Sequence, residues 1–129
     1  MVTLTATLTL NDTDTFSDVL NFSTSKALTT TATSQGLTTI GVTDTGANNK
    51  IQSSLDGQTR YVFVRHTGTT DGSTGTTATV NVELTGDVVF GKLAANEFCF
   101  LPVGGHSLGV QLQSSSGTVQ CEFAFFTKG

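Results

Sequence analysis

The chain has 129 residues, which is the length of a single domain, and 36% of them are hydrophobic, as in a folded globular protein. Its net charge of -4 excludes the basic surface of a nucleic-acid-binding protein and argues against binding to anionic membranes. Only 12% of the residues are charged, while 26 are threonine and 11 are serine, so hydroxyl groups must form most of the polar surface.

The first segment, residues 2–10, alternates threonine with apolar residues. This period of two predicts a half-buried β-strand, and threonine suits its outer face because the side chain is β-branched and carries a hydroxyl. The strand is expected either to close a sheet edge or to pair with a neighbouring subunit. Its apolar face carries Val2, Leu4, Ala6, Leu8 and Leu10.

Weaker strand patterns follow. Residues 16–23 give a less regular strand. Two threonine-rich segments, residues 27–33 and 37–43, are predicted as separate strands on either side of Ser34-Gln35-Gly36. Residues 44–57 are predicted to form a loop.

The second half of the chain has stronger patterns. Residues 60–65 predict a central strand, because aromatic and β-branched residues occupy both faces and only the ends are charged. Residues 67–77 contain three glycines and no large apolar side chain, so they are expected to form a flexible exposed loop or hairpin tip. The remaining strands are predicted at Val80, Val82 and Leu84, and at residues 88–90, 97–103, 108–112 and 119–126.

These segments define the fold class. No window of a dozen residues has a helical period, and the nearest candidate, residues 92–96, is one turn at most. A series of about eight or nine short strands separated by turns predicts an all-β fold, an antiparallel β-sandwich that is jelly-roll-like. The whole chain, residues 1–129, is expected to be one such domain.

The two cysteines are expected to be reduced and structural. No targeting or membrane-spanning segment is apparent, since the longest apolar run, residues 98–103, is too short to cross a bilayer, and a soluble, unprocessed product is expected. Alternation turns Cys99 away from Phe98 and Phe100, and both Cys99 and Cys121 should behave as small buried hydrophobes. A disulfide between them would require their strands to pair.

The sequence Gly105-His106-Ser107-Leu108-Gly109 matches the G-x-S-x-G nucleophile elbow of serine hydrolases. That elbow requires a helix after the serine, whereas an alternating strand pattern continues through residues 110–113. The hydrolase order also places the catalytic histidine after the serine, but His66 and His106 both precede Ser107. A glycine-rich turn is the preferred interpretation, and no catalytic residue is assigned.

Two residue sets resemble metal sites in composition only. Asp12-Thr13-Asp14 begins like a calcium loop, but the EF-hand spacing fails. A solvated turn is therefore preferred over a loosely built calcium site that uses Asp12, Asp14 and Asp18. A zinc site would need long-range convergence of four residues that lack zinc-motif spacing. No metal or other cofactor is expected. The four residues are His66, Cys99, His106 and Cys121.

Acid–base chemistry would need carboxylates held together in an apolar cleft. Glu83, Glu97 and Glu122 lie in or beside apolar strands, but no pair of them is expected to converge.

The phenylalanines concentrate in the last third of the chain, and core packing is expected for them. The absence of tryptophan and the expected burial of Tyr61 argue against a carbohydrate-binding platform. The five phenylalanines of this cluster are Phe98, Phe100, Phe123, Phe125 and Phe126.

The same part of the chain resembles a known class of protein. A turn leads to an aromatic strand that ends in Leu101-Pro102, and a glycine-rich loop, a Leu-x-Val strand and a closing aromatic strand follow. This order is similar to the ending of small all-β virion proteins of tailed phages, especially phages of marine bacteria. Residues 1–57 share only the threonine-rich alternating style. The resemblance covers about residues 58–129 and is carried by residues 60–68, 91–103, 104–110 and 116–126.

The resemblance implies a non-enzymatic structural protein of the virion, made in the host bacterial cytoplasm. A capsid decoration or knob protein bound to the major capsid shell is the first expectation, and a tail, neck or fibre module is the alternative. A glycan-binding module for host attachment, using residues 67–77 or 104–107, is a rival of a different class.

The composition is compatible with assembly independently of the resemblance, because a hydroxyl-rich surface lets identical subunits pack without like-charge repulsion. We therefore expect the partners to be other copies of the chain, in a homo-oligomer, and the major capsid protein. Neither nucleic acid nor membrane is expected as a partner.

Overall fold

The computed structural model describes residues 2–12, 20–52, 59–104 and 108–128. These residues form nine β-strands and a single turn of 3₁₀ helix, Gly46–Asn48, so the predicted all-β class is confirmed. No helix in this part of the chain has the length and apolar character needed to cross a membrane. The strands are β1 (Val2–Asp12), β2 (Leu20–Val42), β3 (Lys50–Gln52), β4 (Arg60–His66), β5 (Val80–Leu84), β6 (Val88–Leu93), β7 (Phe98–Val103), β8 (Val110–Ser114) and β9 (Val119–Lys128).

The strands form two antiparallel sheets that enclose one core. The five-stranded sheet has the order β1-β2-β9-β4-β7, and the four-stranded sheet has the order β3-β8-β5-β6. When β1 is set aside, the distribution of β2 to β9 between the sheets is the strand order of a jelly roll, in which two Greek keys wrap around the core. The predicted jelly-roll-like sandwich is therefore confirmed, with β1 added at one edge.

Valine dominates the core, because β-branched side chains fit the facing surfaces of two pleated sheets. Val62 and Val64 of β4 are fully buried, and β4 lies between β9 and β7. The predicted central strand at residues 60–65 is thus confirmed. The other core side chains are Val42, Ile51, Ala78, Val80, Val82, Leu93, Val110, Leu112, Val119, Cys121 and Phe123.

The two strands predicted at residues 27–33 and 37–43 are a single strand, β2, which is 23 residues long. Its first half pairs with β1 and its second half with β9, and the ladder with β9 shifts register twice near the middle of β2. The predicted break at residues 34–36 was wrong, because β-bulges absorb extra residues while a strand continues. Of the predicted strand at residues 16–23, the structure describes residues 20–23, which belong to β2.

The predicted loop at residues 44–57 contains the 3₁₀ turn and β3. Asn49 organises this segment, since its side-chain amide donates hydrogen bonds to the backbone carbonyl oxygens of Thr43, Thr45 and Leu112. The bond to Leu112 holds the 3₁₀ turn against β8. The prediction of an irregular loop was therefore too simple for the described part of this segment.

β1 and the first half of β2 form a two-stranded arm, residues 2–12 and 20–30, because β2 pairs with β9 only from Thr30 onward. β1 is an edge strand, which was one of the two predicted alternatives. Its burial differs from the prediction: Leu4 is partly covered, but Leu8 and Leu10 are both 46% exposed. The second half of the strand is exposed because it extends beyond the two-layered part of the sandwich.

Candidate functional site

A broad apolar groove of about 880 Å³ lies on the outer face of the five-stranded sheet, the face turned away from the core. β4, β7 and β9 form its floor, and the arm forms one wall. Among the described residues that line it, Lys26 alone is charged. Apolar lining side chains come from both sides, and they include Leu4, Leu8, Phe63, Phe98, Phe100 and Phe126.

The groove depends on the curvature of the sheet. β1 and β7 are the opposite edges of five strands, yet Leu8 of β1 and Phe98 of β7 line the same concavity. A flat sheet has no concave face, so the arm must turn toward the outer face. The bulges near the middle of β2 supply this bend, since a bulge bends a strand and increases its local twist.

The groove corrects the prediction that the C-terminal phenylalanines pack in the core. Phe123 lies in the core and Phe125 packs against it, as predicted. Phe98 and Phe100 instead lie on the outer face, where Phe98 is 63% exposed. Cys99 packs against the core, and the two neighbouring phenylalanines therefore point the other way. Alternation identified two faces of β7 but not which face is covered.

Aromatic rings pair across β4 and β7 on the groove floor. Tyr61 stacks on Phe100 with ring centroids 6.2 Å apart, and Phe63 lies 6.4 Å from Phe98. Tyr61 is buried, as predicted. Phe126, also expected in the core, lines the groove instead. Rings held by their neighbours form a preorganised apolar surface that loses little side-chain entropy when a partner binds.

The two cysteines are free and cannot form a disulfide with each other. Cys99 lies opposite Val64, and Cys121 lies opposite His66, so β4 separates the two cysteine strands. Strands two places apart are about 10 Å apart, beyond the reach of a disulfide. Burial raises the pKa of both thiols, to about 12 for Cys121, so neither forms a nucleophilic thiolate near neutral pH.

His66, one member of the zinc set considered above, has a structural role. The ring is fully buried at the end of β4, and its Nδ1 accepts a 2.9 Å hydrogen bond from the backbone N–H of Gly68. Its Nε2 lies 2.8 Å from the carbonyl oxygen of Ala78. These partners assign the proton to Nε2, which donates to that carbonyl. Both ring nitrogens are occupied, so His66 has no free ligand atom.

Residues 67–77 form a closed hairpin tip with a bridge between Thr69 and Gly75. Asp71 organises the tip, because its Oδ1 accepts hydrogen bonds of 2.7 Å from the backbone N–H of Thr74 and 2.9 Å from that of Ser73. These bonds lower the pKa of Asp71 from 3.8 to about 2, and the bond from Thr74 has the larger effect. The sequence correctly predicted an exposed tip but not this internal network.

A pair of carboxylates that the sequence reasoning missed meets on the outer face of the four-stranded sheet. Gln111 Nε2 donates to Glu83 Oε1 at 2.6 Å and to Asp87 Oδ1 at 3.1 Å. Glu83 and Gln111 are both buried, and Glu83 Oε2 has no partner among the described residues. Gly46 closes over them, since a Cβ on it would lie 2.5 Å from Glu83 Oε1.

A signal for the contact between Glu83 and Gln111 is present in the sequence. Val82-Glu83-Leu84 and Val110-Gln111-Leu112 each place one polar residue between two aliphatic ones, and the two segments pair in register. The other carboxylates considered are used separately. Glu97 Oε2 accepts from the backbone N–H of Ala94, and Glu122 lies 3.6 Å from Arg65.

The remaining predicted sites fall wholly or partly outside the described residues. His106 and Ser107 of the G-x-S-x-G segment lie there, as do Asp14 and Asp18 of the calcium candidate. Asp12 is the last residue of β1. Within the described ranges, no three histidine, cysteine or acidic residues are grouped so that they could hold a metal ion.

The chain matches no known family model and no curated protein. The apolar groove is a broad feature of the described surface that the fold leaves uncovered, and we take it as the candidate functional site. Its chemistry is that of a docking surface for apolar side chains.

Proposed function

We propose that this protein is a non-enzymatic structural component of a tailed-phage virion, and that it is a capsid decoration, cement or knob protein bound to the major capsid shell. It would associate with other copies of itself and with the capsid protein. The resemblance of residues 58–129 to small all-β virion proteins gives the class, and the jelly roll is an architecture used by viral capsid proteins.

The observation that carries the proposal is the apolar outer face of the five-stranded sheet. An antiparallel sheet that covers a core on one side presents polar side chains to water on the other. Here that other side presents Phe63, Phe98, Phe100 and Phe126, and the buried Tyr61 stacks on Phe100. A contiguous aromatic surface of this kind supports binding to another protein.

The hydroxyl groups on the surface of the arm also support the proposed assembly role. Threonine and serine hydroxyls pair across its two strands, with Thr7 Oγ1 3.0 Å from Ser25 Oγ and Thr9 Oγ1 3.2 Å from Ser23 Oγ. This surface offers hydrogen bonds with little charge, so contacts made by it should depend weakly on salt. Such a surface suits repeated subunits packed side by side.

Several titratable side chains are used within the fold, which supports a non-enzymatic role. His66 holds two backbone groups, Asp71 closes the hairpin tip, and Arg65 pairs with Glu122.

Purified virions from the source test the proposal. Mass spectrometry should find the protein among their components, and cryo-electron microscopy should place the outer face of the five-stranded sheet against the capsid shell. On the order of hundreds of copies per particle indicates decoration of the shell, whereas about six or twelve indicate a symmetric tail or neck ring. Virions that lack the protein would contradict the proposal.

A fibre module that binds glycans is the second candidate, because jelly rolls also form lectin domains. The hairpin tip favours it, since Thr70, Ser73 and Thr74 hold hydroxyls in an internally bonded loop. A glycan array tests this candidate. Binding that is lost on Asp71→Ala, which removes the bonds that shape the tip, would support it, and an array without hits would remove it.

A further inference from the structure

β6 is a free edge of the four-stranded sheet, and no described strand pairs with its other side. Three consecutive large apolar side chains on it are exposed, Val88 by 53%, Val89 by 51% and Phe90 by 43%. Open backbone groups beside apolar side chains make an edge strand a template for pairing with another strand. The chemistry of β6 indicates which strand fits.

The ladder between β5 and β6 contains a β-bulge. Val82 pairs with Gly91 and Glu83 pairs with Val89, so Phe90 is an extra residue. In a regular strand, side chains five positions apart face opposite sides of the sheet. One extra residue between them brings them to the same side.

Asp87, the last residue of the turn between β5 and β6, and Lys92 of β6 are five positions apart across this bulge, and both lie on the outer face of the sheet. Asp87 Oδ1 accepts the hydrogen bond from Gln111, which lies opposite Glu83. Lys92 lies opposite Asn81, which is two residues from Glu83 and therefore on the same face. Both charged side chains are exposed, and neither is in an ion pair with a described residue of its own chain.

We infer that two copies of this chain pair through β6, antiparallel, about a two-fold axis at the bulge formed by Val89 and Phe90. In this register Asp87 of each copy lies opposite Lys92 of the other, on the same face of one continuous sheet. A two-fold interface must be complementary to itself. The edge formed by Asp87 and β6 meets this requirement, because it carries opposite charges at equal distances on either side of the axis.

Bulges and lysines also protect edge strands from pairing in monomeric proteins. Protection of that kind does not account for Val88, Val89 and Phe90, because exposed consecutive apolar residues on an edge promote aggregation. Pairing through β6 covers this edge, and it also places Asp87 of each copy opposite Lys92 of the other. The inference deepens the proposed assembly role. The place of the dimer in a virion rests on the proposed function, whereas the test of the dimer needs only the purified protein.

Analytical ultracentrifugation of the purified chain should show a dimer. Lys92→Asp sets two carboxylates opposite each other in both charge pairs, and Asp87→Lys sets two ammonium groups opposite each other. Each variant alone should raise the dimer dissociation constant about tenfold or more. An equimolar mixture of the two should form dimers again, because each chain then meets the opposite charge at both pairs.

Lys50→Asp is the matched control, since it makes the same charge change on an exposed residue of β3, the other edge of the same sheet. It should leave the dimer unchanged. Circular dichroism checks that each variant is folded. If Asp87→Lys unfolds the chain, Asp87→Asn added to Lys92→Asp replaces it, since removal of one carboxylate should relieve the repulsion.

A wild-type chain that stays monomeric up to about 1 mM contradicts the inference. So does a dimer that Lys92→Asp and Lys50→Asp weaken equally, or one that fails to return in the mixture. A dimer that behaves as expected while virions lack the protein would contradict the proposed function and leave the β6 pairing in place. Virions that contain the protein as isolated monomers would contradict the β6 pairing and leave the proposed function in place.

Discussion

Gln111 of β8 donates a 2.6 Å hydrogen bond to Glu83 of β5, directly across the ladder and on the side of the four-stranded sheet that faces away from the core. Both side chains are buried, although they lie on an outer face. The 3₁₀ turn covers them, and Gly46 is the point of closest approach. A second, polar layer therefore lies outside the sandwich at this place.

Gly46→Ala should destabilise the protein. The added Cβ would lie 2.5 Å from Glu83 Oε1 and 2.7 Å from Gln111 Nε2, so the turn or the hydrogen-bonded pair must move. We expect the free energy of unfolding to fall by about 1–3 kcal/mol, as in other overpacked sites, measured by urea denaturation. Gly75→Ala is the control, because nothing lies within 4 Å of its Cβ position, and it should change stability by less than about 0.5 kcal/mol. Equal effects of the two substitutions would contradict the close packing at Gly46.

Cys121 should make stability fall in alkaline solution. Burial raises the pKa of its thiol from 9.0 to about 12, so above pH 9 the unfolded chain releases this proton and the folded chain retains it. The stabilising contribution is fully present below pH 9 and is lost as the pH rises toward 12, with a slope of at most about 1.4 kcal/mol per pH unit. Urea midpoints of the wild type and Cys121→Ala, measured across this range, isolate the effect from other titrating groups. Parallel pH profiles for the two proteins would contradict it.

The sequence predicted the strands better than their environment. The strand at residues 60–65 was predicted correctly because aromatic and β-branched residues on both faces suit only a central position. Leu8 and Phe98 were assigned to covered faces, since alternation separates two faces without showing which one another layer covers. That information lies in the topology, which sets the curl of the five-stranded sheet.

The candidate sites were harder to predict, because their residues meet only through long-range pairing. Glu83 and Gln111 are 28 positions apart, and the cover over them comes from Gly46, in a segment predicted as a loop. The bulge at Phe90, which brings Asp87 and Lys92 to one face, follows from the β5–β6 register and not from a period in β6. Local patterns mark Glu83 and Gln111 as polar residues between aliphatic ones, but they do not show which residues meet.

Asp71 should remain ionised in more acidic solution than an ordinary aspartate. Hydrogen bonds from the backbone N–H groups of Thr74 and Ser73 lower its pKa from 3.8 to about 2. Their stabilising contribution is therefore present above pH 3.8 and is lost as the pH falls toward 2. In a nuclear magnetic resonance titration, the Asp71 carboxyl signal should shift with a midpoint near 2. The amide signals of Ser73 and Thr74 should move with the same midpoint, and they should lose this dependence in Asp71→Asn. A midpoint near 3.8 would contradict the bonded geometry.

Phe98→Ser should separate folding from assembly. The Phe98 side chain is 63% exposed in the groove, so its loss should change the free energy of unfolding by less than about 1 kcal/mol. Phe123→Ser, which removes a core ring, should cost at least about 3 kcal/mol. Under the proposed function, Phe98→Ser should bind at least about tenfold more weakly to virions stripped of the native protein, because buried aromatic anchors dominate interface energies. Cosedimentation with stripped virions measures this. Thr70→Ser changes a hairpin-tip residue that does not line the groove, and it should bind like the wild type. Unchanged binding of a folded Phe98→Ser protein would exclude the groove as the capsid-binding surface.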